Sequence, residues 1–307
     1  MRKNNKTDIN SPKVSIGVPT YNSNGSILGT LQSIWDQQYP NLEIIISDNC
    51  STDNTEYLVA ELMREHPEIR YFRQSRNIGL VPNFEFVRGK ATGELFMWAA
   101  DDDALEPGVL KVYADFLTEH PDYSLVSGQI KYWLGNRPLF CEKDFNMEEA
   151  SSDLRVVHYY FKVMYGAVFH GLMRRKAAQS IPLRNVIGND FHFVATLAYM
   201  GKIKTLDRIG YNKRLNGTSR NFQHYAHVIG ASRFAARFPR IAIARDAFSE
   251  IFNSPVFALK RAPSKLFLAL SCGAGVLISY YGREFPFIIG GMIKRLFTRP
   301  FTQRSPA

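Results

Sequence analysis

Strand-like and helix-like patterns alternate along residues 13–132, and this alternation constrains the fold more than any other feature. Short apolar runs, rich in β-branched or aromatic residues, occur at 14–18, 42–46, 69–72 and 94–100. The segments between them carry apolar residues at helical spacing. Repeated units of this length predict an α/β fold with a mostly parallel central sheet and helices on both faces.

The pattern changes after about residue 135. We expect strands at 125–130, 167–172 and 203–206, with an apolar helix that begins near Phe191. No internal repeat or low-complexity tract is visible. These later elements are spaced irregularly, so they extend the sheet without continuing the strand–helix alternation.

The two patterns suggest a division of the chain. Residues 1–12 are predicted to be an N-terminal tail, and 13–222 one domain. Within that domain, 13–132 and 133–222 would form two halves. Residues 223–307 are predicted to form a helical C-terminal extension, because a chain of 307 residues exceeds the usual size of one domain.

The C-terminal extension contains an uncharged, mostly apolar segment at 266–281, flanked by Lys265 and Arg283. A second apolar run at 285–293 ends in two basic residues. Sixteen helical residues span about 24 Å, less than the roughly 30 Å hydrocarbon core of a bilayer. Two interpretations remain open: a helix that associates with the membrane interface, or a helical hairpin packed on the domain.

Charge and cysteine content suggest the compartment. The formal net charge is +10, and the basic residues dominate from Lys202 onward. The three cysteines show no C-x-x-C spacing, which fits a reducing compartment. The N-terminus is basic and then polar, without the apolar stretch of a signal peptide. We therefore expect a cytoplasmic protein held peripherally on the inner face of the cell membrane.

Four polar clusters follow the first four predicted strands. They are Pro19-Thr20-Tyr21-Asn22, the run from Ser47 to Thr55, Arg76-Asn77-Ile78-Gly79 and Asp101-Asp102-Asp103. Each cluster alone is ordinary turn or helix-cap chemistry. Together they meet at the carboxyl edge of one parallel sheet, where open α/β sheets bind ligands.

The aspartate triplet is the most charged of these clusters. Adjacent carboxylates raise each other's pKa unless a cation shares them. Mg2+ and Mn2+ take oxygen ligands of this kind and share them with substrate phosphates. The alternative is a solvated acidic turn before the helix that starts near Glu106.

The order and spacing of these clusters resemble family 2 glycosyltransferases, the inverting nucleotide-sugar enzymes of the GT-A (Rossmann-like) fold. The resemblance covers residues 13–120 and extends more weakly to about residue 220. It implies that 13–222 is the glycosyltransferase domain, with 13–132 as its nucleotide-sugar half and 133–222 as its acceptor half. It implies a glycosyltransferase that moves a hexosyl or deoxyhexosyl group from a nucleotide diphosphate sugar to a hydroxyl of a saccharide acceptor.

The resemblance also implies which residues bind the donor. The loop of Pro19, Thr20, Tyr21 and Asn22 would lie beside the nucleotide. Asp48 would accept a hydrogen bond from the N3–H of the base. The remaining donor contacts it implies are Arg76 and Asn77 beside the nucleotide, Asp101 at the ribose and Arg214 at the diphosphate.

The resemblance assigns Asp102, with Asp103, to a divalent ion, Mg2+ or Mn2+, held against the diphosphate. This chain departs from the common Asp-x-Asp-Asp form, because Ala100 occupies the first acidic position. It also has Asn216 where the family often has a histidine, so we do not expect a metal ligand at that position.

Asp190 is the predicted general base. In the family an acidic pair precedes a helix at this place, and its aspartate takes the acceptor proton. This chain has Asn189-Asp190, so the first acid is absent. A helix N-cap is the structural alternative for Asp190, and the two roles are compatible. His170 is either a buried, hydrogen-bonded histidine or a ligand contact.

The basic and apolar C-terminal segment suggests a lipid-linked acceptor used in bacterial surface polysaccharide synthesis. One competing interpretation is a sugar-nucleotide nucleotidyltransferase, which would carry a basic, Gly-rich loop after the first strand. Residues 20–25 contain no lysine or arginine. Another is a non-catalytic carbohydrate- or nucleotide-binding protein at the membrane. Nucleic-acid binding is not expected, because the basic residues are scattered and not interleaved with aromatic residues.

Overall fold

The computed structural model describes residues 11–163, 165–215 and 222–297, with the side chains up to residue 281 apart from that of Phe222. Most of the predicted N-terminal tail lies outside the described residues. Asn216 and the side chains of Arg283, Lys294 and Arg295 also lie outside them.

The first part of the chain forms the predicted strand–helix alternation. Its elements are β1 (Val14–Thr20), α1 (Ile27–Trp35), β2 (Leu42–Asp48), α2 (Thr55–Leu62), β3 (Ile69–Arg73), α3 (Leu80–Lys90), β4 (Leu95–Trp98), a short β5 (Ala104–Leu105) and α4 (Val109–Glu119). The side chains of β1 and β4 are buried throughout, as expected for strands covered by helices on both faces.

The later part combines strands with a larger set of helices. Its elements are β6 (Tyr123–Leu134), β7 (Arg137–Glu142), α5 (Ser152–Lys162), β8 (Leu172–Arg174), α6 (Arg175–Ser180), α7 (Asn189–Met200), β9 (Lys202–Arg214), α8 (Phe222–Val228), α9 (Arg233–Arg237), α10 (Pro239–Asn253) and α11 (Ala262–Phe297).

The nine strands form one sheet in the order β3-β2-β1-β4-β8-β6-β9-β5, with β7 paired to β6. The first four strands are parallel, as predicted. β6 and β9 are also parallel, whereas β8, β5 and β7 join antiparallel. The predicted α/β fold with a central sheet and flanking helices is confirmed, and the sheet is mixed beyond β4.

One predicted strand is replaced by a different element. Residues Ala167–His170 form a 3-10 turn, and β8 starts only at Leu172. Gly166 begins the turn with a φ of 65°, a left-handed conformation that glycine adopts without steric cost. All four residues of the turn are buried, so their apolar pattern reflects burial and not an extended backbone.

The described part of the C-terminal segment is a single helix, so the hairpin, one of the two interpretations that the sequence left open, is not formed there. On one side of α11, Leu268, Ala269, Cys272 and Val276 join the apolar core formed with α5, α7 and α10. The stretch Ala262–Tyr281 is long and apolar enough to cross a membrane by length and composition alone, with a mean hydropathy of 1.4.

The opposite side of α11 exposes apolar side chains. Phe267 is 74% exposed, and Leu266, Leu270, Ile278 and Tyr281 are each about half exposed. We call these five residues the apolar stripe of α11. The helix therefore completes the core with one face and presents an apolar surface with the other.

Candidate active site

The register of the sheet brings the first three polar clusters to one edge. Thr20 at the end of β1 pairs with Asp48 at the end of β2, and Asp48 pairs with Arg73 at the end of β3. β4 lies on the other side of β1. Asn22 joins the loop after β1 to the loop after β2 by two hydrogen bonds. Its amide N–H donates to Ser51 Oγ at 2.8 Å, and its Oδ1 accepts from the Thr52 amide at 2.8 Å. The φ of 54° at Asn22 fits a residue that tolerates left-handed turns.

Asp48 is completely buried beneath this edge. Its Oδ1 accepts from the Ser51 amide at 2.8 Å, and its Oδ2 accepts from the Tyr71 hydroxyl at 2.8 Å. Arg73 lies 3.5 Å from the same Oδ2. Burial and the hydrogen bond to Asp48 raise the pKa of Tyr71. In the structure Asp48 organises the loop after β2, and its predicted contact with a base stays a prediction.

The third cluster is organised by two asparagines. Asn77 Oδ1 accepts from the Gly79 amide and from Asn49 Nδ2, both at 2.9 Å. Asn49 Oδ1 in turn accepts from the Ile78 amide at 2.7 Å. Arg76 precedes these residues and is exposed. This network fixes the backbone beside the β1 loop and leaves the Arg76 guanidinium in solvent.

Asp101 joins the triplet to the β1 loop. Its Oδ2 accepts from Thr20 Oγ1 at 2.7 Å, from the Tyr21 amide at 3.3 Å and from the Ser23 hydroxyl. Burial raises the pKa of Asp101, while the hydrogen bonds from Ser23 and Thr20 oppose that shift.

Asp103 faces the opposite way, toward β9. Its Oδ1 accepts from the Arg214 amide at 2.7 Å, and its Oδ2 lies 3.4 Å from Lys213 Nζ. The Asp103 side chain is fully buried. Arg214 is therefore tied to the triplet through its backbone, and its side chain is exposed.

Asp102 differs from the other two aspartates of the triplet, whose carboxylates are bound by neighbouring residues. Its carboxylate accepts no hydrogen bond from any residue that the structure describes beyond its own backbone. Burial, followed by the charges of Asp103 and Asp101, raises the pKa of Asp102 to about 7. Such a carboxylate is stabilised by a cation that shares it.

A divalent ion fits this arrangement through Asp102. Among the residues that the structure describes, no three His, Cys, Asp or Glu side chains form an all-protein metal cage. Mg2+ commonly binds through one or two carboxylates and completes its shell with water and substrate phosphates. Asp102 suits that role, whereas both oxygens of Asp103 already have partners within the protein.

Asp190 lies in the first turn of α7, where Gly188, with a φ of 74°, is the capping residue. The N-cap alternative for Asp190 is therefore not observed. Asn189 Oδ1 accepts from Tyr225 at 2.9 Å and from the Asp190 amide at 2.7 Å. The asparagine at the family's first acidic position thus fixes the start of α7.

Burial raises the pKa of Asp190 to about 6, against the hydrogen bond from the Phe191 amide and the charge of Lys213. Gly166 packs directly on this carboxylate, and a Cβ there would overlap with Asp190 Oδ2. Asp190 therefore lies in a narrow recess. The pKa of its carboxyl is close to neutrality, which is the range suited to a general base.

Aromatic side chains stand beside Asp190. Tyr165, adjacent to Gly166, is tilted against Phe140 with ring centroids 4.8 Å apart, and Phe140 stacks on Tyr132 at 4.5 Å. Tyr165 and Phe140 are partly exposed. The Tyr132 hydroxyl donates to Glu142 at 2.9 Å, which fixes the inner ring.

One cavity of about 940 Å3 connects these parts. Eight of the predicted site residues line it: Pro19, Thr20, Tyr21, Asn22, Asn77, Asp101, Asp102 and Asp190. The other four do not: Asp48 and Asp103 lie beneath its wall, and Arg76 and Arg214 lie outside it. His170, left open in the sequence, is buried and also lines the cavity.

Sequence reasoning missed several cavity residues. Lys213, Tyr165, Tyr225 and Arg240 all face it. Lys213 immediately precedes Arg214, the basic residue that the family resemblance favoured. Alternation along a strand sends neighbouring side chains to opposite faces, so a period of two indicated that only one of the two would face the cavity, without showing which.

The chain has curated bacterial relatives. It is 37% identical over 101 residues to the GalNAc(5)-diNAcBac-PP-undecaprenol beta-1,3-glucosyltransferase of Campylobacter jejuni, covering 32% of each chain. It is 34% identical over 107 residues to the chondroitin synthase of Escherichia coli, covering 34% of this chain and 15% of that enzyme. The chain thus spans about a third or less of the length of these two relatives.

Solved structures share the fold. Residues 1–349 of TarS from S. aureus match with a TM-score of 0.56 and 21% identity, covering 91% of this chain and 92% of TarS. The mannosyltransferase PcManGT from Pyrobaculum calidifontis, in complex with GDP-Man and Mn2+, matches with a TM-score of 0.54 and 16% identity, covering 95% and 82%. At 21% and 16% sequence identity, these two matches show a shared fold and nothing more specific.

The family model for glycosyl transferase family 2 matches residues 15–181, more than half of the chain. That range contains the three loops, the aspartate triplet and the start of the acceptor side. The chain belongs to glycosyl transferase family 2.

Proposed function

We propose that this protein is an inverting, metal-assisted glycosyltransferase. It transfers a sugar from a nucleoside diphosphate sugar to a hydroxyl of a saccharide acceptor. The observation that carries the proposal is that Asp102 and Asp190 line one cavity from different elements. Asp102 follows β4 beside the nucleotide-side loops, and Asp190 begins α7 beside the exposed aromatic rings.

The donor would lie along the loops after β1 and β3. Thr20, Tyr21 and Asn22 would contact the nucleotide, and Asp101 the ribose, from the positions that their hydrogen bonds fix. Asp48, Arg76, Asn77 and Arg214 remain proposed donor contacts. TarS is known in complex with UDP and with UDP-GlcNAc, and PcManGT with GDP-Man, which supports a nucleotide-sugar donor.

Asp102, supported by Asp103 behind it, would hold Mg2+ or Mn2+. When bound, the ion supplies Lewis-acid neutralisation of the charge that develops on the diphosphate. PcManGT with Mn2+ supports a divalent ion of this kind. Without the ion, the raised pKa of Asp102 keeps much of this carboxyl protonated near neutrality.

Asp190 would take the proton from the acceptor hydroxyl as that oxygen attacks the anomeric carbon. Burial raises the pKa of Asp190 to about 6, which favours this role. A carboxylate with this pKa is largely ionised at neutral pH and is a stronger base than an ordinary carboxylate. The aromatic rings of Tyr165 and Phe140 would pack against a sugar of the acceptor. Attack from the side opposite the departing diphosphate inverts the anomeric configuration.

The acceptor is proposed to be lipid-linked and part of bacterial surface polysaccharide synthesis, and the protein to act peripherally at the inner face of the cell membrane. The Campylobacter relative, named for a PP-undecaprenol substrate, supports this acceptor class. The apolar stripe of α11 supports a membrane surface, because amphipathic helices bury such a face among lipid headgroups.

A nucleotide-sugar panel tests the proposal directly. UDP- and GDP-sugars would be screened for thermal stabilisation with Mn2+, with Mg2+ and with EDTA. We expect one donor to stabilise the protein in a metal-dependent manner, and NMR of the transfer product to show an inverted anomeric centre. Product with a retained configuration would refute the inverting mechanism. Formation of a sugar nucleotide from a sugar phosphate and a nucleoside triphosphate would instead favour a nucleotidyltransferase.

A further inference from the structure

Lys213 is a cation fixed at the centre of the site. It lies near the end of β9, its side chain is 13% exposed, and it lines the cavity. Its Nζ lies 3.4 Å from Asp103 Oδ2 and 3.3 Å from His170 Nε2. Ordering a lysine side chain costs considerable rotamer entropy. Because the contacts with Asp103 and His170 already order Lys213, a ligand that binds it does not meet that cost.

The anchor on the histidine side is itself rigid. His170 Nδ1 donates to the Trp98 carbonyl at 3.1 Å, which leaves Nε2 as an acceptor for Lys213. The His170 ring stacks on Tyr211 with centroids 4.9 Å apart, and the Tyr211 hydroxyl accepts from the Ala100 amide at 3.0 Å. Lys213 is thus held between the Asp103 side chain at the end of the aspartate run and His170, which is tied to the backbone just before that run.

One donor of Lys213 remains for a ligand. An ammonium group has three N–H donors, and Asp103 and His170 take two of them. Because Lys213 lines the cavity, the third is available there. Among the described cavity residues the other cation is Arg240, which lies over the Tyr280 ring at 4.6 Å, on the helical side.

We propose that Lys213 binds the terminal phosphate of the nucleoside diphosphate and stabilises it as the leaving group. The inference rests on the proposed function and adds a protein cation to it. As the bond from the anomeric carbon to the diphosphate oxygen breaks, that oxygen keeps the electron pair beside Lys213. The acceptor oxygen bonds to the carbon, and its proton passes to Asp190.

Binding of free nucleotides in EDTA tests this without turnover. The probes are UDP with UMP, and GDP with GMP, measured by calorimetry for wild type, Lys213→Met and Lys213→Arg. A charge-assisted hydrogen bond gives wild type about a 10- to 100-fold preference for the diphosphate over the monophosphate. We expect Lys213→Met to lose most of this preference with unchanged monophosphate affinity, and Lys213→Arg to keep part of it.

The matched control is Lys204→Met. Lys204 lies on the same strand and pairs with Glu148 at 2.9 Å, but it does not line the cavity. This variant should keep the wild-type preference. Because Lys213→Met leaves Asp103 with a buried unpaired charge, Lys213→Met combined with Asp103→Asn provides a neutral version. Thermal melting should show that this double variant is folded. It should also lack the preference for the diphosphate.

If Lys213→Met, alone or combined with Asp103→Asn, kept the preference for the diphosphate, the inference would be overturned. So would an equal loss of monophosphate and diphosphate affinity, which would indicate a general defect of the pocket. A wild type that binds UDP or GDP with Mg2+ but shows no preference in EDTA would overturn it while leaving the proposed function intact. Failure to bind either nucleotide under both conditions would instead refute the proposed function as well.

Discussion

Gly166 packs directly against the carboxylate of Asp190, and its backbone adopts a left-handed conformation with a φ of 65°. No side chain fits between the turn before β8 and the start of α7. This contact holds the proposed base in a recess, and it makes the position of Asp190 sensitive to a single methyl group.

Gly166→Ala should therefore reduce both stability and activity. The left-handed backbone costs an L-residue about 1 to 2 kcal/mol, and the methyl group displaces Asp190. The control is Gly108→Ala, which has a similar φ of 69° but open space around the position. Both variants should melt earlier than wild type, and only Gly166→Ala should also lose kcat. Equal kcat in the two variants would contradict the importance of this contact.

Asp190→Asn should lower kcat by about two to four orders of magnitude, because it removes the proton acceptor and preserves the shape. Donor binding, measured by calorimetry, should persist. Asp115→Asn is the control, since Asp115 pairs with Lys111 at 2.9 Å on the solvent-exposed face of α4. A small change in kcat with a collapse of donor affinity would move Asp190 to the nucleotide site.

The rate of transfer should rise with pH, reach half of its maximum near pH 6 and level off above about pH 7. Asp190 acts only when ionised, and burial raises its pKa to about 6. Initial rates from pH 5 to pH 8 at saturating donor give the profile. A rate that already reaches its plateau at pH 5 would indicate a base with an ordinary carboxyl pKa.

Asp102→Asn should stabilise the metal-free protein, and more so as pH rises. The folded pKa of Asp102, about 7, exceeds the value near 3.9 of an unfolded aspartate. The folded state therefore binds the proton more tightly, and the carboxyl reduces stability progressively as pH rises between these values. Melting in EDTA at pH 5 and pH 8 should show a larger advantage for the variant at pH 8. A constant difference would contradict the raised pKa.

Changing the apolar stripe should weaken membrane binding without unfolding the protein. Each large apolar side chain contributes up to about 1.5 to 3 kcal/mol when buried, so Phe267→Ser with Leu270→Ser should bind anionic vesicles about tenfold more weakly or worse. Co-sedimentation at low and high salt measures this, because apolar insertion persists when charges are screened. Leu28→Ser with Tyr57→Ser, at exposed positions of α1 and α2, is the control. Equal pelleting of all forms would exclude the stripe as the anchor.

Removing α11 is expected to have a different result from changing its surface. A chain that ends at Arg261 lacks Leu268, Ala269, Cys272 and Val276, which belong to the apolar core. We expect this form to melt at a much lower temperature or to aggregate. A stably folded truncated form that still binds nucleotide would show that the helix is dispensable for the fold.

Strand periodicity and cluster order were sufficient to predict which loops meet at one edge of the sheet. The first four strands, their parallel order and seven of the eight cavity residues follow from local patterns, because the ends of neighbouring parallel strands must meet. The eighth, Asp190, was predicted only through the family resemblance. The same reasoning predicted the aspartate triplet as one site. It did not predict that Asp101, Asp102 and Asp103 would face the β1 loop, the cavity and β9 respectively.

The sequence by itself determined the family, the α/β fold and the chemistry that the polar clusters support. Only the tertiary structure decided which of those side chains face the cavity. Lys213 and Arg214 differ by one residue, yet the lysine reaches Asp103 and His170 while the arginine side chain is exposed. His170 and Asp103 lie 43 and 110 residues from Lys213 along the chain. Such contacts depend on how β9 pairs with distant elements, and no local pattern encodes that pairing.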